Sequence, residues 1–273
     1  MKLQFIKVSP AQNMTIYVLD QVARERHIDV ANKLLDYGNL YGEQVGFIER
    51  SGDYIRLQMM GGEFCGNATR SLAAIIVDRA LDNVIKDGED YLVKLETSGL
   101  EKVVECRVRK TEKDHVYMSQ IHMPLPTSIN SSESSVDEKE IEIQRIDFPG
   151  ISHFIVDDKK VSDRQKLYEV IKSQMDKEVY EAFGIMYYDY EEKFLVPLVY
   201  VKATDSLYWE KSCGSGTTAL GVALAHKNQK NIDISIPQPG GELRIQVEIN
   251  KGKIENVVLD GPVEIVAEGM VYI

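Results

Sequence analysis

Polar and apolar residues alternate at the N-terminus of the chain. From Met1 to Lys7 the alternation has the period of two that is typical of a β-strand. Apolar residues at helical spacing then occur between Gln21 and Tyr37, and again between Ser162 and Phe183. This spacing predicts an amphipathic helix in each of the two segments. Because strand-like runs occupy most of the remaining sequence, the pattern predicts an α+β protein.

The order of these predicted elements repeats in the two halves of the chain. A proline turn leads into a β-rich run at Pro10 and again at Pro149. A predicted helix follows in each half, and after it comes a predicted hairpin, first over residues 46–58 and then over residues 184–200. Each half then reaches a segment that contains Cys-Gly. Since these matched features occur in the same order, we interpret the chain as two related halves.

A polar segment separates the two halves. Residues 127–135 are rich in serine and lack apolar periodicity, which predicts an exposed connection. We therefore expect an N-terminal domain over residues 1–127 and a C-terminal domain over residues 128–262. The last predicted strand, residues 263–273, is expected to return and complete the first domain. The fold that follows is α+β, with two pseudo-symmetric domains.

Two cysteine segments, one in each half, share a pattern. Residues 63–69 read Glu-Phe-Cys-Gly-Asn-Ala-Thr, and residues 211–217 read Lys-Ser-Cys-Gly-Ser-Gly-Thr. In each segment a predicted strand and turn give way to a helix-like run of small and apolar residues. Backbone N–H groups at the start of a helix have no intrahelical acceptor, so they bind anions and favour a thiolate. The duplication therefore predicts that Cys65 and Cys213 are catalytic.

Two thiols on equivalent segments suit a reaction at both faces of one carbon atom. A thiolate would remove the α-proton of an amino acid, and a thiol would return a proton to the opposite face. The two roles exchange for the opposite enantiomer, and the two titrations are coupled. No lysine motif for pyridoxal phosphate is evident in the sequence. We therefore expect a racemase or epimerase that uses no cofactor, with fixed amide dipoles stabilising the carbanion.

The composition restricts the partners and the compartment. The chain has 273 residues, a net charge of −11 and three cysteines. The acidic balance disfavours nucleic acid or an anionic membrane as a partner, and a small-molecule substrate is expected. No apolar run reaches membrane-spanning length and no signal-peptide core is present, so a cytoplasmic location is expected. The third cysteine, Cys106, lies in an alternating stretch and is expected to be an inert strand residue.

The two cysteine motifs resemble those of the diaminopimelate-epimerase-like family of cofactor-independent racemases and epimerases. The resemblance covers nearly the whole chain and implies two similar domains, each a curled mixed sheet around a central helix. It also implies an active site in the cleft between the domains and is compatible with a homodimer. No metal is implied. The substrate-binding residues that the family pattern implies are Asn13, Gln44, Gly66, Asn67, His153, Glu210, Gly214, Ser215, Gly216 and Thr217. Of these, His153 and Glu210 would assist the thiols.

Departures from the diaminopimelate epimerases concern the distal end of their substrate. Residues 58–62 read Gln-Met-Met-Gly-Gly where those enzymes usually have Asn-Ala-Asp-Gly, and residues 150–153 read Gly-Ile-Ser-His instead of Gly-Asn-Pro-His. Diaminopimelate is therefore disfavoured as the substrate. Residues 43–49, 209–217 and 238–241 resemble instead the histidine racemases of opine-metallophore biosynthesis. That resemblance implies the interconversion of L-histidine and D-histidine.

Three alternatives to histidine racemisation remain open. The chain could be an epimerase or racemase for another amino acid, diaminopimelate included. It could also be a thiol-disulfide or metal-binding protein that uses Cys65, Cys213 and His153, although no Cys-x-x-Cys or close Cys/His spacing supports this. A ligand-binding relative without catalytic activity is the third alternative.

Overall fold

The structure is a computed structural model that describes residues 1–81, 84–136, 139–202 and 205–273. Within these ranges the chain divides into two compact units. Unit 1 contains Met1–His122 and Asp260–Ile273, and unit 2 contains Met123–Leu259. Strands predominate in both units, and the described residues form four α-helices. The α+β prediction is confirmed. Among the described residues, no helix has the length and apolar character needed to cross a lipid bilayer.

Unit 1 is built on a mixed sheet. Its strands are β1 (Lys2–Ser9), β2 (Thr15–Val18), β3 (Gln44–Ser51), β4 (Tyr54–Met59), β5 (Val84–Asp87), β6 (Asp90–Thr97), β7 (Val104–Lys110), β8 (Val116–His122) and the C-terminal part of β17 (Lys253–Tyr272). Strands β2 and β3 pair in parallel, as do β4 and β6, whereas β1 pairs antiparallel with β2 and with β17. The pairing of Lys2 with Tyr272 and of Ser9 with Glu264 joins the last strand to the first.

The first α-helix of unit 1 is shorter than its apolar pattern predicts. Helix α1 spans His27–Leu35 and follows a turn of 3-10 helix at Arg24–Arg26. It ends because Asp36 is extended, with ψ at 139°. The helix buries Val30, Ala31 and Leu34 in a cluster with residues of β1, β2 and β3. The predicted helix therefore exists, but its ends lie inside the predicted segment.

The second helix of unit 1 lies at its centre. Helix α2 spans Gly66–Asp78, and every residue from Gly66 to Val77 is buried. It packs against β6, β7 and β8. A helix that is buried on all sides must satisfy its polar groups internally, because water does not reach them. This confirms the expected central helix for the first unit.

Unit 2 has a corresponding architecture. Six strands form one sheet in the order β14, β13, β12, β11, β10, β9 within the described residues. They are β9 (Ser128–Val136), β10 (Lys139–Phe148), β11 (Ile151–Asp157), β12 (Ala182–Asp189), β13 (Phe194–Val201) and β14 (Ser206–Trp209). Strands β15 (Ile232–Gln238) and β16 (Gly241–Asn250) form an antiparallel pair. The helices are α3 (Arg164–Met175) and the largely buried α4 (Gly214–Asn228), which packs against β10, β11, β12, β15 and β16.

The two units repeat one order of elements. Unit 1 runs β2, α1, β3, β4 and α2, and unit 2 runs β11, α3, β12, β13, β14 and α4. In each unit the two strands that flank the first helix pair in parallel, and the second of them forms an antiparallel hairpin with the strand that follows it. Both predicted hairpins are confirmed. The duplication inferred from the sequence is therefore present in the strand pairing of each unit.

Two sequence expectations in unit 2 are wrong in part. The segment 127–135, expected to be an exposed connection, forms most of β9, in which Ile129 pairs with Ile146 of β10. An edge strand needs backbone partners but no apolar face, so its polar side chains concealed it. The helix expected over residues 162–183 ends at Met175, and Phe183 lies in β12. The Phe183 ring packs edge-to-face on the Phe154 ring, and this contact places Phe183 in the core as a strand residue.

Replacing Leu34 in α1 by alanine tests the packing of that helix. Leu34 has no exposed surface, so the truncation is expected to lower the free energy of unfolding by about 2–5 kcal/mol. The matched control is Ile28→Ala in the same helix, where the side chain is 54% exposed. Ile28→Ala should change the free energy of unfolding, measured in urea, by no more than about 0.5 kcal/mol. Equal losses for the two variants would contradict the assigned packing of α1.

Candidate functional site

Each of the two motif cysteines caps a buried helix. Cys65 precedes α2 with φ −126° and ψ 111°, and Cys213 precedes α4 with φ −125° and ψ 111°. Each sulfur accepts a hydrogen bond from the backbone N–H three residues later, at 3.4 Å from Ala68 N and 3.3 Å from Gly216 N. The helix starts predicted from the Cys-Gly motif are therefore confirmed. Each sulfur takes the place of the side-chain oxygen that usually caps a helix.

The threonine of each motif reinforces the same turn. Thr69 Oγ1 donates to the carbonyl oxygen of Cys65 at 2.7 Å, and Thr217 Oγ1 donates to that of Cys213 at 2.6 Å. The threonine N–H groups also donate to these two carbonyls, at 2.9 Å in both units. Each cysteine backbone is thus held by the residue four positions later. This explains why both motifs carry threonine at that spacing.

Side-chain amides surround Cys65. Its Sγ donates to Gln44 Oε1 at 3.2 Å. Gln44 Nε2 donates to Asn13 Oδ1 and to Thr15 Oγ1, both at 2.8 Å. Asn67 Nδ2 donates to the same Asn13 oxygen at 3.2 Å. The structure thus brings Asn13, Gln44 and Asn67 into one hydrogen-bonded network beside Cys65.

A buried arginine lies behind this network. Arg70 has no exposed surface, and its guanidinium donates to Asn67 Oδ1 and to the carbonyls of Gly261 and Pro262. Burial lowers the pKa of Arg70 to about 10, and the nearby Asp260 carboxylate opposes this shift. The guanidinium therefore remains a cation at neutral pH. Arg70 was not predicted as a site residue from the sequence, although a lone arginine inside an apolar helical run is a signal for such a role.

Cys213 has a different environment. Its backbone N–H donates to Gln238 Oε1 at 2.9 Å, and Gln238 Nε2 donates to Thr217 Oγ1 at 2.8 Å. Ser215 Oγ lies 3.6 Å from the sulfur. Burial raises the pKa of the Cys213 thiol well above its usual value, and the negative charge of Glu210 and a hydrogen bond to it raise the pKa further. Cys213 thus has a carboxylate partner, as the family pattern implied for Glu210.

His153 is enclosed in the second unit. Its ring is fully buried, and in the part of the chain that the structure describes neither ring nitrogen has a hydrogen-bond partner. Burial lowers the pKa of His153 to about 3, so the ring is neutral near pH 7. The ring lies beside Gly184, which β11–β12 pairing places opposite it. Phe148 contacts it edge-on at 6.3 Å between ring centroids.

A methionine lies close to both His153 and Cys213. If Gly184 were replaced by a residue with a side chain, its Cβ would lie 2.5 Å from His153 Nδ1 and 2.7 Å from Met186 Cε. A Cβ at Gly216 would lie 2.2 Å from Met186 Sδ and 3.2 Å from Cys213 Sγ. The thioether therefore occupies space that the two glycines leave between the histidine ring and the thiol. Sequence reasoning missed Met186, because nothing in its strand pattern distinguishes it from a core residue.

The two motifs differ at the position three residues after the cysteine. Unit 1 has Ala68 there and unit 2 has Gly216. In unit 2 the Met186 thioether fills the volume of a methyl group, so a Cβ cannot be accommodated without displacement. The substitution of glycine for alanine within the second motif therefore has a steric cause. The same position in unit 1 carries its methyl group fully buried.

The residues suggested by the family pattern fall into two groups. In unit 1, Asn13, Gln44, Gly66 and Asn67 lie in the network or in the first turn beside Cys65. In unit 2, Glu210, Gly214, Ser215, Gly216 and Thr217 lie around Cys213, and His153 lies close to Met186. Within the described ranges, no three or more His, Cys, Asp and Glu side chains are arranged to hold a metal ion.

The third cysteine caps no helix and belongs to neither group. Cys106 is fully buried in β7, and burial raises the pKa of its thiol to about 12. Such a thiol stays protonated and is shielded from reagents. The structure agrees with the sequence interpretation of Cys106 as a strand residue of the core. Its side chain offers a matched control for substitutions of the two capping cysteines.

Comparison with known proteins gives matches over the full length of the chain. The family model described as the histidine racemase CntK N-terminal domain matches residues 2–272. A histidine racemase from Fusobacterium nucleatum is 39% identical over 275 residues, which cover 99% of this chain and 97% of that protein. A histidine racemase from Staphylococcus aureus is 32% identical over 278 residues, covering 99% and 98%.

Solved structures show the same fold. A hydroxyproline epimerase from Agrobacterium vitis matches with a TM-score of 0.71, covering 99% of this chain and 92% of that protein. The two sequences are 10% identical, so this likeness concerns the fold alone. It agrees with the expected architecture of two similar α+β domains.

Replacing Gly216 by alanine tests the space taken by Met186. The new Cβ would overlap the thioether, so the free energy of unfolding is expected to fall by about 1–3 kcal/mol. In the double variant Gly216→Ala/Met186→Ala the overlap disappears, and urea unfolding should show a smaller loss than the sum of the two single losses. The matched control is Ala68→Gly in α2, which creates no overlap and should cost about 1 kcal/mol of helix propensity and about 1 kcal/mol for the lost buried methyl group. Strictly additive losses at positions 216 and 186 would contradict the steric account.

His153 should make stability depend on acidity. Its pKa is about 3 in the folded chain against 6.5 in the unfolded chain, so between these values only the unfolded chain binds the proton. The free energy of unfolding therefore rises with pH in this window, by roughly 1.4 kcal/mol per pH unit at most, and the contribution is constant above it. His153→Leu should remove that part of the slope in urea unfolding between about pH 4 and pH 6. An unchanged slope would show that the buried ring takes up a proton in the folded state.

Proposed function

The chain belongs to the histidine racemase family, and on this basis we propose that it interconverts L-histidine and D-histidine without a cofactor. The observation that carries the proposal is the presence of two thiols that cap buried helices in the same backbone geometry. One thiol alone would suit many reactions. Two equivalent thiols suit proton removal and proton return at a single carbon atom.

In the proposed reaction, one cysteine acts as a thiolate and takes the proton from the α-carbon of histidine. The electron pair of the broken C–H bond passes to the carbanion, which spreads the charge into the adjacent carboxylate group. The other cysteine, as a thiol, gives its proton to the opposite face and becomes a thiolate. The reverse reaction uses the same two groups with exchanged roles, so the two titrations belong to the pair.

The first turns of α2 and α4 are proposed to bind the substrate. The first intrahelical bonds run from Thr69 N to Cys65 O and from Thr217 N to Cys213 O. The N–H groups of Gly66, Asn67, Gly214 and Ser215 precede these bonds, so by helix geometry they have no intrahelical acceptor. Such N–H groups suit a carboxylate, whose charge grows as the carbanion forms. Gly216 donates its N–H to Cys213 Sγ and Thr217 donates its hydroxyl to the Cys213 carbonyl, so both residues hold the first turn of α4 close to the sulfur.

Glu210 is proposed to accept a hydrogen bond from the Cys213 thiol. Burial is the main cause of the raised pKa of the Cys213 thiol, and the charge of the Glu210 carboxylate and its hydrogen bond with the thiol raise this pKa further. A thiol of raised pKa gives a more basic thiolate, which suits a weakly acidic α-carbon. His153 is neutral and buried close to Met186, so we assign it to the binding region of the same unit and give it no proton transfer.

Further parts of the proposal concern the setting of the reaction. We place the enzyme in the cytoplasm, as a homodimer, and assign its D-histidine to metallophore biosynthesis. The support is the resemblance of residues 43–49, 209–217 and 238–241 to the racemases of that pathway. No nucleic acid or membrane partner is part of the proposal.

Solvent exchange tests the substrate and the chemistry together. The protein is mixed with L-histidine in deuterated water, and NMR follows the loss of the α-proton while circular dichroism follows the loss of optical activity. Both signals are expected to change, because the returning proton comes from a thiol that exchanges with solvent. If histidine kept its α-proton while another amino acid lost it, the chain would be an epimerase or racemase for that amino acid.

Substitution of each cysteine tests the two-thiol mechanism. Cys65→Ser and Cys213→Ser are each expected to lower the racemisation rate by at least about a hundredfold, because each removes a proton carrier of suitable acidity. The matched control is Cys106→Ala, which removes a buried thiol in β7 and should leave the rate unchanged. Full activity in either serine variant would exclude the proposed role of that cysteine.

A further inference from the structure

The side chains next to Cys65 form a continuous hydrogen-bonded chain with an ionic group at each end. Arg70 stands at one end and Glu43 at the other, and Asn67 and Asn13 lie between them. Gln44 joins this chain at Asn13 and reaches the sulfur of Cys65. Because each ionic end can act only as donor or only as acceptor, the direction of every amide between them is determined.

The arginine end fixes the first amide. Arg70 Nε and Nη2 lie 3.2 and 3.1 Å from Asn67 Oδ1. A guanidinium group has donors and no acceptor, so the oxygen of Asn67 must face it. The amide nitrogen of Asn67 then faces Asn13, and its distance to Asn13 Oδ1 is 3.2 Å. Arg70 itself is fixed by the carbonyls of Gly261 and Pro262, at 2.8 and 3.1 Å.

The carboxylate end fixes the second amide in the same sense. Asn13 Nδ2 lies 2.5 Å from Glu43 Oε2, which accepts its hydrogen. The oxygen of Asn13 therefore faces away from Glu43 and toward two donors, Asn67 Nδ2 and Gln44 Nε2. Both ends of the chain thus require one orientation of Asn13. The buried side chain has 4% of its surface exposed, so water competes little for these bonds.

The orientation of Asn13 determines that of Gln44. Gln44 Nε2 has two hydrogens, and it donates one to Asn13 Oδ1 and one to Thr15 Oγ1, both at 2.8 Å. The Thr15 hydroxyl donates its proton to the backbone carbonyl oxygen of Asn13 at 3.2 Å. The Thr15 oxygen is therefore free to accept the hydrogen bond from Gln44. The amide oxygen of Gln44 is then the group that faces Cys65 Sγ, at 3.2 Å.

We propose that this chain from Arg70 to Glu43 sets Cys65 as a proton-donating thiol in the resting enzyme, with Arg70, Asn67 and Asn13 as positioning residues. An amide oxygen accepts the thiol proton and stabilises the protonated form, whereas an amide nitrogen in its place would stabilise the thiolate. The assignment deepens the proposed function, because it gives Cys65 the role of acid before substrate binds. It also makes the Cys65 thiolate, once formed, more basic toward an α-carbon proton.

A purely structural role for Arg70 and Asn67 makes a different prediction. In that case the guanidinium would only attach α2 to the carbonyls of Gly261 and Pro262. The orientation of the Gln44 amide would then have no effect on the protonation state of Cys65. Substitutions would then lower stability without changing the state of the thiol. The test must therefore observe the Cys65 proton itself, in protein that has no substrate bound.

Infrared spectroscopy of the S–H stretch makes this observation. The difference between the spectra of the wild-type protein and Cys65→Ser isolates the Cys65 band, because Cys106 and Cys213 contribute equally to both. At neutral pH the band is expected to be present and to lie at a lower wavenumber than that of a thiol without an acceptor. A missing band would mean a resting thiolate and would overturn the proposal.

Gln44→Met tests the acceptor. Methionine keeps the length of the side chain and removes the amide oxygen, so the Cys65 band should move to a higher wavenumber. A band that stays in place would show that the thiol proton goes to another group, and the proposal would fail. Gln44 carries no charge, so this variant leaves no buried ion without its counter-charge.

Asn67→Asp tests the direction of the chain. Aspartate keeps an acceptor for Arg70 but places a second acceptor against Asn13 Oδ1, so it opposes the orientation that Glu43 requires. We expect Gln44 to lose its fixed direction and the Cys65 band to lose part of its shift. The matched variant is Asn67→Leu, which removes the donor to Asn13 without opposing the orientation that Glu43 requires, so the Cys65 band should lose some of its shift but less than in Asn67→Asp.

The outcome at Asn67 decides the role of the chain. Equal bands in wild-type protein and Asn67→Asp would show that the chain does not orient Gln44, and this comparison stands even if Asn67→Leu fails to fold. None of these spectra requires a substrate. A failure of the proposal would therefore be distinct from a failure of histidine racemisation, which the exchange experiment measures independently.

Discussion

The capping of two buried helices by cysteine sulfur is the interaction on which both units depend. Helices α2 and α4 lie inside their units, so the N–H groups of their first turns cannot be left to water. In each unit the sulfur accepts one of these N–H groups, and a threonine four residues later holds the cysteine carbonyl. The sulfur atom is thereby part of the element that organises the core, and its position follows from the position of the helix.

This shared scaffold gives the two thiols different surroundings. Cys65 meets the oxygen of a side-chain amide whose direction is fixed through Asn13. Cys213 meets a carboxylate and is more deeply buried, with Met186 packed against its first turn. Duplication therefore preserved the backbone geometry of the cap while the polar groups around each sulfur diverged.

The regular parts of the fold could be predicted from the sequence. The hairpins have turn residues between apolar runs, and Gly52, with φ at +58°, occupies the turn between β3 and β4. Strand β9 was missed because backbone pairing with β10 needs no apolar pattern. The end of α3 was misplaced because Phe183 suits either a helix or a strand, and only its contact with Phe154 decides between them.

By itself the sequence determined the two helix starts at cysteine, the repeated order of elements and the family to which the chain belongs. These features depend on local chemistry, since a Cys-Gly-x-x-Thr segment places its cap, its turn and its threonine within a few residues. Only the tertiary structure decided that Arg70 donates to the amide of Asn67 near Cys65 and that Met186 lies close to both Cys213 and His153. Those relations join residues far apart along the chain. Their physical basis is the burial of polar groups, whose partners are chosen by packing and leave no periodic mark in the sequence.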